Sequence, residues 1–440
     1  MSPNLRLACS SGEEQSSSIA SASGLFLESC IEMGGDSALL FSAVLLNQVG
    51  RVMVPSVITS IMQDPTFPLT TAHRKYQLAG VSAVCLAGKF LAATLTDKVG
   101  GWPVLAFVFA VFFASSAIIV YTHDVAIFGA MWWLNSLAYT VTWGAACQII
   151  GVSYAEKERS AQLTRIASAS RFGASIGSIF FGQMLKFGFH WRRALAPSLP
   201  VQFLLATLCC YKCMSQSSKS AQSSKSMASP SPQLSTSKWA HIVTLNFWLM
   251  FIPKVVLFTY TQFFMNFVGP MLYANYDYSH GVATQTAGLC SFGSVIGLLY
   301  LGDGVYKKLA PRSKVVLVSS MLLMCLIVPT ILIFGNDIPG FVVAPLLFVW
   351  GLSYALPFYL PPGEFALEIG GKSASAFFTN MFDAGGFTMS FFWNRWTTQM
   401  SKDGDFRPVL ISLALFAAMS LVSMPPCMLR MNTKRNKKLS

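Results

Sequence analysis

Residues Leu45–Ile58 read LLNQVGRVMVPSVI. They lie inside an apolar run from about Ser37 to Met62, long enough to cross a bilayer as a helix. Arg51 falls near its middle. A positive charge at the centre of a spanning helix costs about 2.5–3.5 kcal/mol on insertion scales. Such a residue is expected to face the interior of a helix bundle or a watery cavity, where something anionic offsets the cost.

The composition agrees with a bilayer protein. Of the 440 residues, 53% are hydrophobic and 11% are charged, whereas soluble domains carry about 25% charged residues. There is no glycine-rich nucleotide loop. The five histidines are scattered singly, and the ten cysteines show no zinc spacing and imply no disulfide framework. No cofactor and no metal are therefore expected, and no nucleophile–base set points to an enzyme. The Cys residues in apolar runs read as small helix-packing side chains.

Apolar stretches recur at 37–62, 77–96, 102–121, 125–150, 165–187 and 191–212, then at 240–270, 281–302, 313–334, 340–362, 371–397 and 406–428. In lipid the backbone polar groups must be satisfied within each segment, so these are helices. The expected fold is an all-α membrane protein with twelve transmembrane helices in two six-helix halves. The domains follow: a disordered tail 1–36, an N-terminal half 37–212, a Ser-rich linker 213–238, a C-terminal half 239–428 and a basic tail 429–440. The linker has eleven Ser in 26 residues, a composition that forms flexible chain. Glu13, Glu14 and Glu28 argue against an organelle targeting peptide in the N-terminal tail, since such peptides are poor in acids.

The net charge of +13 suggests nucleic acid only until the charges are placed. With both termini cytoplasmic, and with residues at the ends of the spans counted with the adjoining loops, nineteen Lys and Arg fall inside and eight outside, and four lie well within spans. The eight include Arg74, Lys75, Arg192 and Arg193. That bias satisfies the positive-inside rule and explains the basic character without nucleic acid. The chain is expected to be a multi-pass protein of the plasma membrane or an organelle membrane, and a monomer.

An internal repeat is visible. LTDKVGG (Leu95–Gly101) follows the second span and LGDGVYKK (Leu301–Lys308) follows the eighth. Asp97 and Asp303 are 206 positions apart; Arg51 and Lys254 are 203 apart. Two independent pairs at nearly one offset imply a duplicated six-helix half, with a site at the interface of the halves.

These features resemble the major facilitator superfamily. Its second-to-third loop motif, Gly-x-x-x-Asp-Arg/Lys-x-Gly-Arg/x-Arg/Lys, is matched at Asp97, Lys98 and Gly100; Ala93 and Trp102 depart from it. AGKFLAATLTDK (Ala87–Lys98), EKERSAQLTRIASASRFGASIGS (Glu156–Ser178) and ALEIGGKSASAFFTNMFDAGGF (Ala366–Phe387) resemble organophosphate:phosphate antiporters. NQVGRVMVPSVI (Asn47–Ile58) is closer to the anion:cation symporter branch. Ser170 stands where the antiporters carry His, and Lys254 stands near a family Arg. The resemblance implies alternating access, with Asp97, Lys98, Gly100 and Asp303 acting as conformational motif residues and Lys89 lining the path.

Four cations, Arg51, Lys89, Arg171 and Lys254, lie within spans, against one mid-span acid, Asp383. A cavity so charged suits an anion. Arg51 offers a planar fork for phosphate oxygens. Lys254, beside the helix-disturbing Pro253, would face Arg51 from the other half, with Lys89 and Arg171 adding potential. The plainer alternatives are snorkelling of either Lys to an interface and pairing of Asp383 with Arg51 or with a cation of span 5 or 7. Asp383 is either a proton-coupling group or a fixed ion-pair partner. Gly173 and Gly177 read as a close helix contact. Tyr260, Gln262, Asn266 and Asn380 read as interhelical bonds that could also meet a substrate. The expected cargo is a small anionic solute: phosphate, an organophosphate or a related organic anion, moved by exchange or with H⁺ or Na⁺. A carboxylate carrier and a non-transporting sensor built on a transporter fold are the alternatives.

Overall fold

A computed structural model describes residues 35–154, 156–222, 241–334 and 338–439. The side chains of Asp97, Lys98 and Asp303 lie outside the described residues, as do the N-terminal tail to residue 34 and most of the Ser-rich linker. Among the described residues there is no β-strand. The helices are α1 (Gly35–Met62), α2 (Thr71–Val99), α3 (Gly101–Tyr121), α4 (Val125–Ser153), α5 (Glu156–Lys186), α6 (Trp191–Leu195) and α7 (Ser198–Gln222). After the linker come α8 (Leu245–Asn266), α9 (Val268–Asn275), α10 (His280–Ile296), α11 (Pro311–Phe334), α12 (Gly340–Met400) and α13 (Arg407–Leu439).

Local chemistry sets the helix ends. Thr70 and His73 form a reciprocal capping box at the start of α2. The Asp124 carboxylate accepts the Ala126 and Ile127 amides at the start of α4. Thr244 and Ser279 cap α8 and α10 in the same way. Gly100, expected as a motif residue, separates α2 from α3 at φ +90°, a backbone region that disfavours a Cβ. Its visible role is thus to turn the chain between spans 2 and 3.

Several boundaries differ from the hydropathy reading. Span 6 is broken into α6 and α7, and α7 runs on to Gln222, into the stretch expected to be flexible linker. Hydropathy is blind to a helix that continues into water on Gln, Lys and Ala. Span 7 ends at Asn266, and its apolar continuation turns off as α9. After α10 the backbone widens into a π-helical stretch, Gly297–Val305. Spans 10 and 11 have no helix-free loop between them: α12 is one helical run of 61 residues.

A straight helix of that length would measure about 90 Å, three times a hydrocarbon core. It is not straight. The rings of Phe365 and Phe382 lie 6.2 Å apart, and Phe258 touches both Phe358 and Phe387. The chain therefore doubles back between Phe365 and Phe378, and α12 supplies two spans. Counting α12 twice, α6 with α7, and α10 with its π extension, the described chain makes twelve crossings.

The packing repeats between the halves. Span 1 lies on span 5, span 2 on span 4 and span 3 on span 6; in the second half 7 lies on 11, 8 on 10 and 9 on 12. Two seams join the halves: span 5 against span 8, and span 2 against span 11. A pseudo-twofold axis that exchanges the halves also exchanges these seams. Among the described residues, eight stretches are long and apolar enough to cross a membrane by composition alone. Helices α2, α4 and α5 are not among them, and α2 and α5 lie at the seams. Helices that line an interface between halves can carry polar groups that lipid-facing helices cannot.

The expected close contact at Gly173 and Gly177 is present: a Cβ on Gly173 would strike the Leu45 backbone, and one on Gly177 would lie 2.6 Å from Val52. These glycines let α5 approach α1 closely.

On the face opposite the chain termini, Asp64 pins the turn between α1 and α2 to α6. Its carboxylate accepts from the Thr66 amide (2.8 Å) and hydroxyl (2.6 Å), from Trp191 Nε1 (2.7 Å) and from His190 Nε2 (3.0 Å). Burial alone would raise this carboxyl, but together the hydrogen bonds outweigh it and hold it well below the usual carboxylate range. A carboxyl held low adds stability that is fully present above its unfolded value of about 4 and is lost as pH falls through the folded value. Asp64→Ala is therefore expected to cost about 1.5–3 kcal/mol at neutral pH and to flatten the loss of melting temperature between neutral and acidic buffer. A variant as acid-sensitive as the wild type would remove Asp64 from that role.

Candidate functional site

The five sequence-chosen groups inside the spans converge at the junction of the halves. Asp383, on the span-11 arm of α12, is the centre. Its Oδ2 lies 3.0 Å from Lys89 Nζ on α2, and its Oδ1 lies 3.9 Å from Lys254 Nζ on α8. One carboxylate thus holds a cation from each half. Arg51 and Arg171 lie near enough to share its field. Lys89 is 9% exposed, Arg171 7% and Lys254 7%, so neither Lys snorkels to an interface. Nor does Asp383 pair directly with Arg51; its nearest partner is Lys89, in the opposite half.

Arg51 is held differently. Its Nη1 donates to the Tyr139 hydroxyl at 2.6 Å, and its guanidinium lies 4.1 Å from the centroid of that ring. Tyr139 is on α4, the fourth span of its half. In the other half Lys254 donates to the Phe358 carbonyl at 3.2 Å and sits 3.2 Å from the Phe358 ring centroid. Phe358 belongs to span 10, the fourth span of the second half. The duplicated halves therefore each seat a first-span cation on a fourth-span aromatic, where the negative ring face stabilises it. Arg171 lies 5.0 Å from the Tyr359 ring, and its buried Nε has no hydrogen-bond partner among the described residues.

The electrostatic balance decides what this cluster can do. Four cations surround one carboxylate in a region mostly screened from water. Desolvating a charge costs several kcal/mol unless it is paired, and Asp383 can neutralise one cation only. The cluster therefore keeps an excess of positive charge.

The other sequence candidates divide. Tyr260 is structural: its hydroxyl donates to the Leu413 carbonyl (2.7 Å) and its ring stacks on Tyr354. Asn380 is half-buried on α12. Gln262 and Asn266 bond each other at 3.1 Å. Both also line a narrow pocket on the far-face side of the cluster, with Arg51, Cys85, Trp132, Ser136 and Tyr139. Asp97, Lys98 and Asp303 were expected to lock conformations; their side chains are not described.

Sequence reasoning missed Tyr139, Phe358 and Tyr359. The repeat offset could not reveal them, because Tyr139 and Phe358 are 219 positions apart rather than 203–206. It also placed Arg74 in an outer loop, whereas Arg74 is 7% exposed between the halves.

Beyond the pocket the halves are sealed on the face opposite the termini. Gln63 donates to the Tyr273 hydroxyl (2.7 Å) and accepts from His280 (2.5 Å). Lys75 reaches Gln399 (2.8 Å), Thr284 reaches the Ser56 carbonyl (2.8 Å) and Asn394 reaches Ser82 (3.2 Å). All five contacts join one half to the other.

Comparison with known proteins gives the same architecture. The family profile described as Major Facilitator Superfamily matches residues 40–387. No curated protein sequence matches the chain. Among solved structures, a D-xylose-proton symporter superposes with a TM-score of 0.69 at 12% identity, covering 88% of this chain and 96% of its own. At that identity the likeness is one of fold.

Proposed function

The chain belongs to the Major Facilitator Superfamily, and on that premise we propose that it is a secondary transporter that carries a small anionic solute by alternating access. The observation that carries the reading is the cluster of buried Lys89, Arg171 and Lys254 and half-buried Arg51 near the single carboxylate Asp383. A neutral cargo gives no reason to gather four cations at the junction of the halves, one of which, Arg51, lines a pocket walled by both halves. Phosphate, an organophosphate or a related organic anion suits them, because guanidinium and ammonium groups bind such oxygens by charge-assisted hydrogen bonds.

The residues divide the work. Arg51 presents a fork steadied by Tyr139. Lys254 presents a point charge from the other half. Lys89 and Arg171 deepen the positive potential. An incoming anion competes with Asp383 for Lys89 and Lys254, so binding and the contact between halves are linked through one carboxylate. That competition would bias the two access states, because a ligand shifts an equilibrium only by its differential contacts. Asp383 is also the group on which a co-transported proton would ride. The Lys/Arg bias in the sequence supports placing the termini in the cytoplasm.

The test is uptake of labelled phosphate into proteoliposomes preloaded with phosphate, with mixed organophosphates or with buffer alone. Uptake that requires an internal anion is the result for an exchanger. Uptake into empty vesicles driven by a pH or Na⁺ gradient is the result for a symporter. Folded protein that moves neither phosphate nor an organophosphate under any loading refutes the phosphate reading; a positive result with a dicarboxylate would then replace it.

A further inference from the structure

Arg74 is a further buried cation between the halves, set apart from the central cluster. It lies on the same face of α2 as Ser82 and Lys89, since 74, 78, 82, 85 and 89 advance by three or four residues. Its Nη2 donates to the Asn266 carbonyl in the other half at 2.8 Å, and its guanidinium lies 5.3 Å from the Phe267 ring. That carbonyl belongs to the last residue of α8, where helix carbonyls lack intrahelical partners and the dipole is negative. Among the described residues Arg74 has no acidic partner, and its buried Nε has no hydrogen-bond partner at all.

The pocket leads toward it. Arg51 and Cys85 line one part of the pocket, and Gln262 and Asn266 line another. The residue whose carbonyl occupies Arg74 is thus also a wall of the pocket that begins at Arg51.

We propose that Arg74 forms a second anion-binding station at the far-face gate, occupied here by the Asn266 carbonyl and handed to the transported anion when the halves part on that side. The inference rests on the anionic cargo proposed above. In the sealed state the end of α8 satisfies the guanidinium. When the seam opens, Asn266 withdraws with its half and leaves a charged fork on the route between the cluster and the far face. A phosphate-type anion offers that fork the two oxygens a bidentate contact needs. Arg74 therefore has two duties: it latches the closed gate through a carbonyl, and it binds cargo in the open one.

The two duties pull a kinetic constant in opposite directions. Removing only a latch raises the far-face-open population and lowers the far-face KM. Removing an anion station raises it. The experiment measures uptake of labelled phosphate and labelled glycerol 3-phosphate in vesicles exposing the far face and in vesicles of inverted orientation, for wild type, Arg74→Met and Arg74→Lys. For Arg74→Met the far-face KM is expected to rise, by less than the roughly ten- to hundredfold that losing a charged hydrogen bond alone would give because the lost latch pulls the other way, with a much smaller change from the opposite face. Arg74→Lys, which keeps charge but not the fork, is expected to fall between and guards against a Met variant that does not fold. A far-face KM that falls or stays unchanged in both variants overturns the station. An equal rise from both faces also overturns it, since general damage has no sidedness. If the wild type moves neither anion from either face, the phosphate and organophosphate reading has itself failed and the station proposed on it fails with it.

Discussion

Asp383→Asn is expected to cost the folded protein about 3–5 kcal/mol, the loss typical of breaking a buried ion pair from one side. Asn matches Asp in shape, so the change leaves no cavity. What it removes is the counter-charge for Lys89 at 3.0 Å and Lys254 at 3.9 Å, both of which then stay buried as uncompensated cations. Lys89→Met is expected to cost less, because Asp383 keeps Lys254 as a partner. The exchange Lys89→Asp with Asp383→Lys restores one opposite-charge contact between the halves and is expected to recover part of the loss. Melting temperatures of the detergent-purified variants rank the three. If Asp383→Asn melts with the wild type, the carboxylate does not neutralise the cluster, and the electrostatic account of the site falls.

Arg51→Ala is expected to lower kcat/KM for anion uptake by roughly thirtyfold to several thousandfold, corresponding to about 2–5 kcal/mol for truncating a hydrogen-bonded charge that the bound anion desolvates. Arg51→Lys keeps the charge but loses the planar fork and its seat on Tyr139, and about a tenfold loss is expected. Tyr139→Phe keeps the ring and removes only the hydroxyl that orients Nη1; its effect should not exceed that of Arg51→Lys. Initial uptake rates in proteoliposomes, normalised to folded protein, measure all three. Wild-type activity in Arg51→Lys would show that a point charge suffices and the fork is idle. Wild-type activity in Arg51→Ala would remove Arg51 from the binding site. Asp383 and Arg51 thus report different things: the first tests what holds the cluster together, the second what the cluster is for.

The candidate site was legible because insertion into lipid is so costly for charge. A cation at mid-span is rare enough that Arg51, Lys89, Arg171 and Lys254 stand out by hydropathy alone. All four, with Asp383, come together at the junction of the halves. Their partners were not legible. Nothing in the sequence marks Tyr139, Phe358 or Tyr359 apart from the many other aromatic residues, because a ring seated under a cation and a ring packed on lipid have the same hydropathy. Arg74 was misplaced for a related reason: it lies in the first turn of α2, before the apolar run begins. Hydropathy puts such a residue in water, and only the approach of α8 from the other half buries it.

The sequence by itself determined the membrane environment, the repeated six-helix plan and the presence of excess positive charge within the spans. These follow from local terms: the length of each apolar run, the need to satisfy every backbone polar group in lipid, and an offset shared by two pairs of charged residues. Only the tertiary structure decided that Asp383 bridges Lys89 and Lys254 rather than Arg51, that α12 folds back into two spans without a helix-free loop, and that the far face is sealed with Arg74 inside the seal. Those outcomes depend on contacts between residues up to about 300 positions apart. Such contacts are set by which helix faces meet, and no periodicity along a single chain encodes the meeting of two faces.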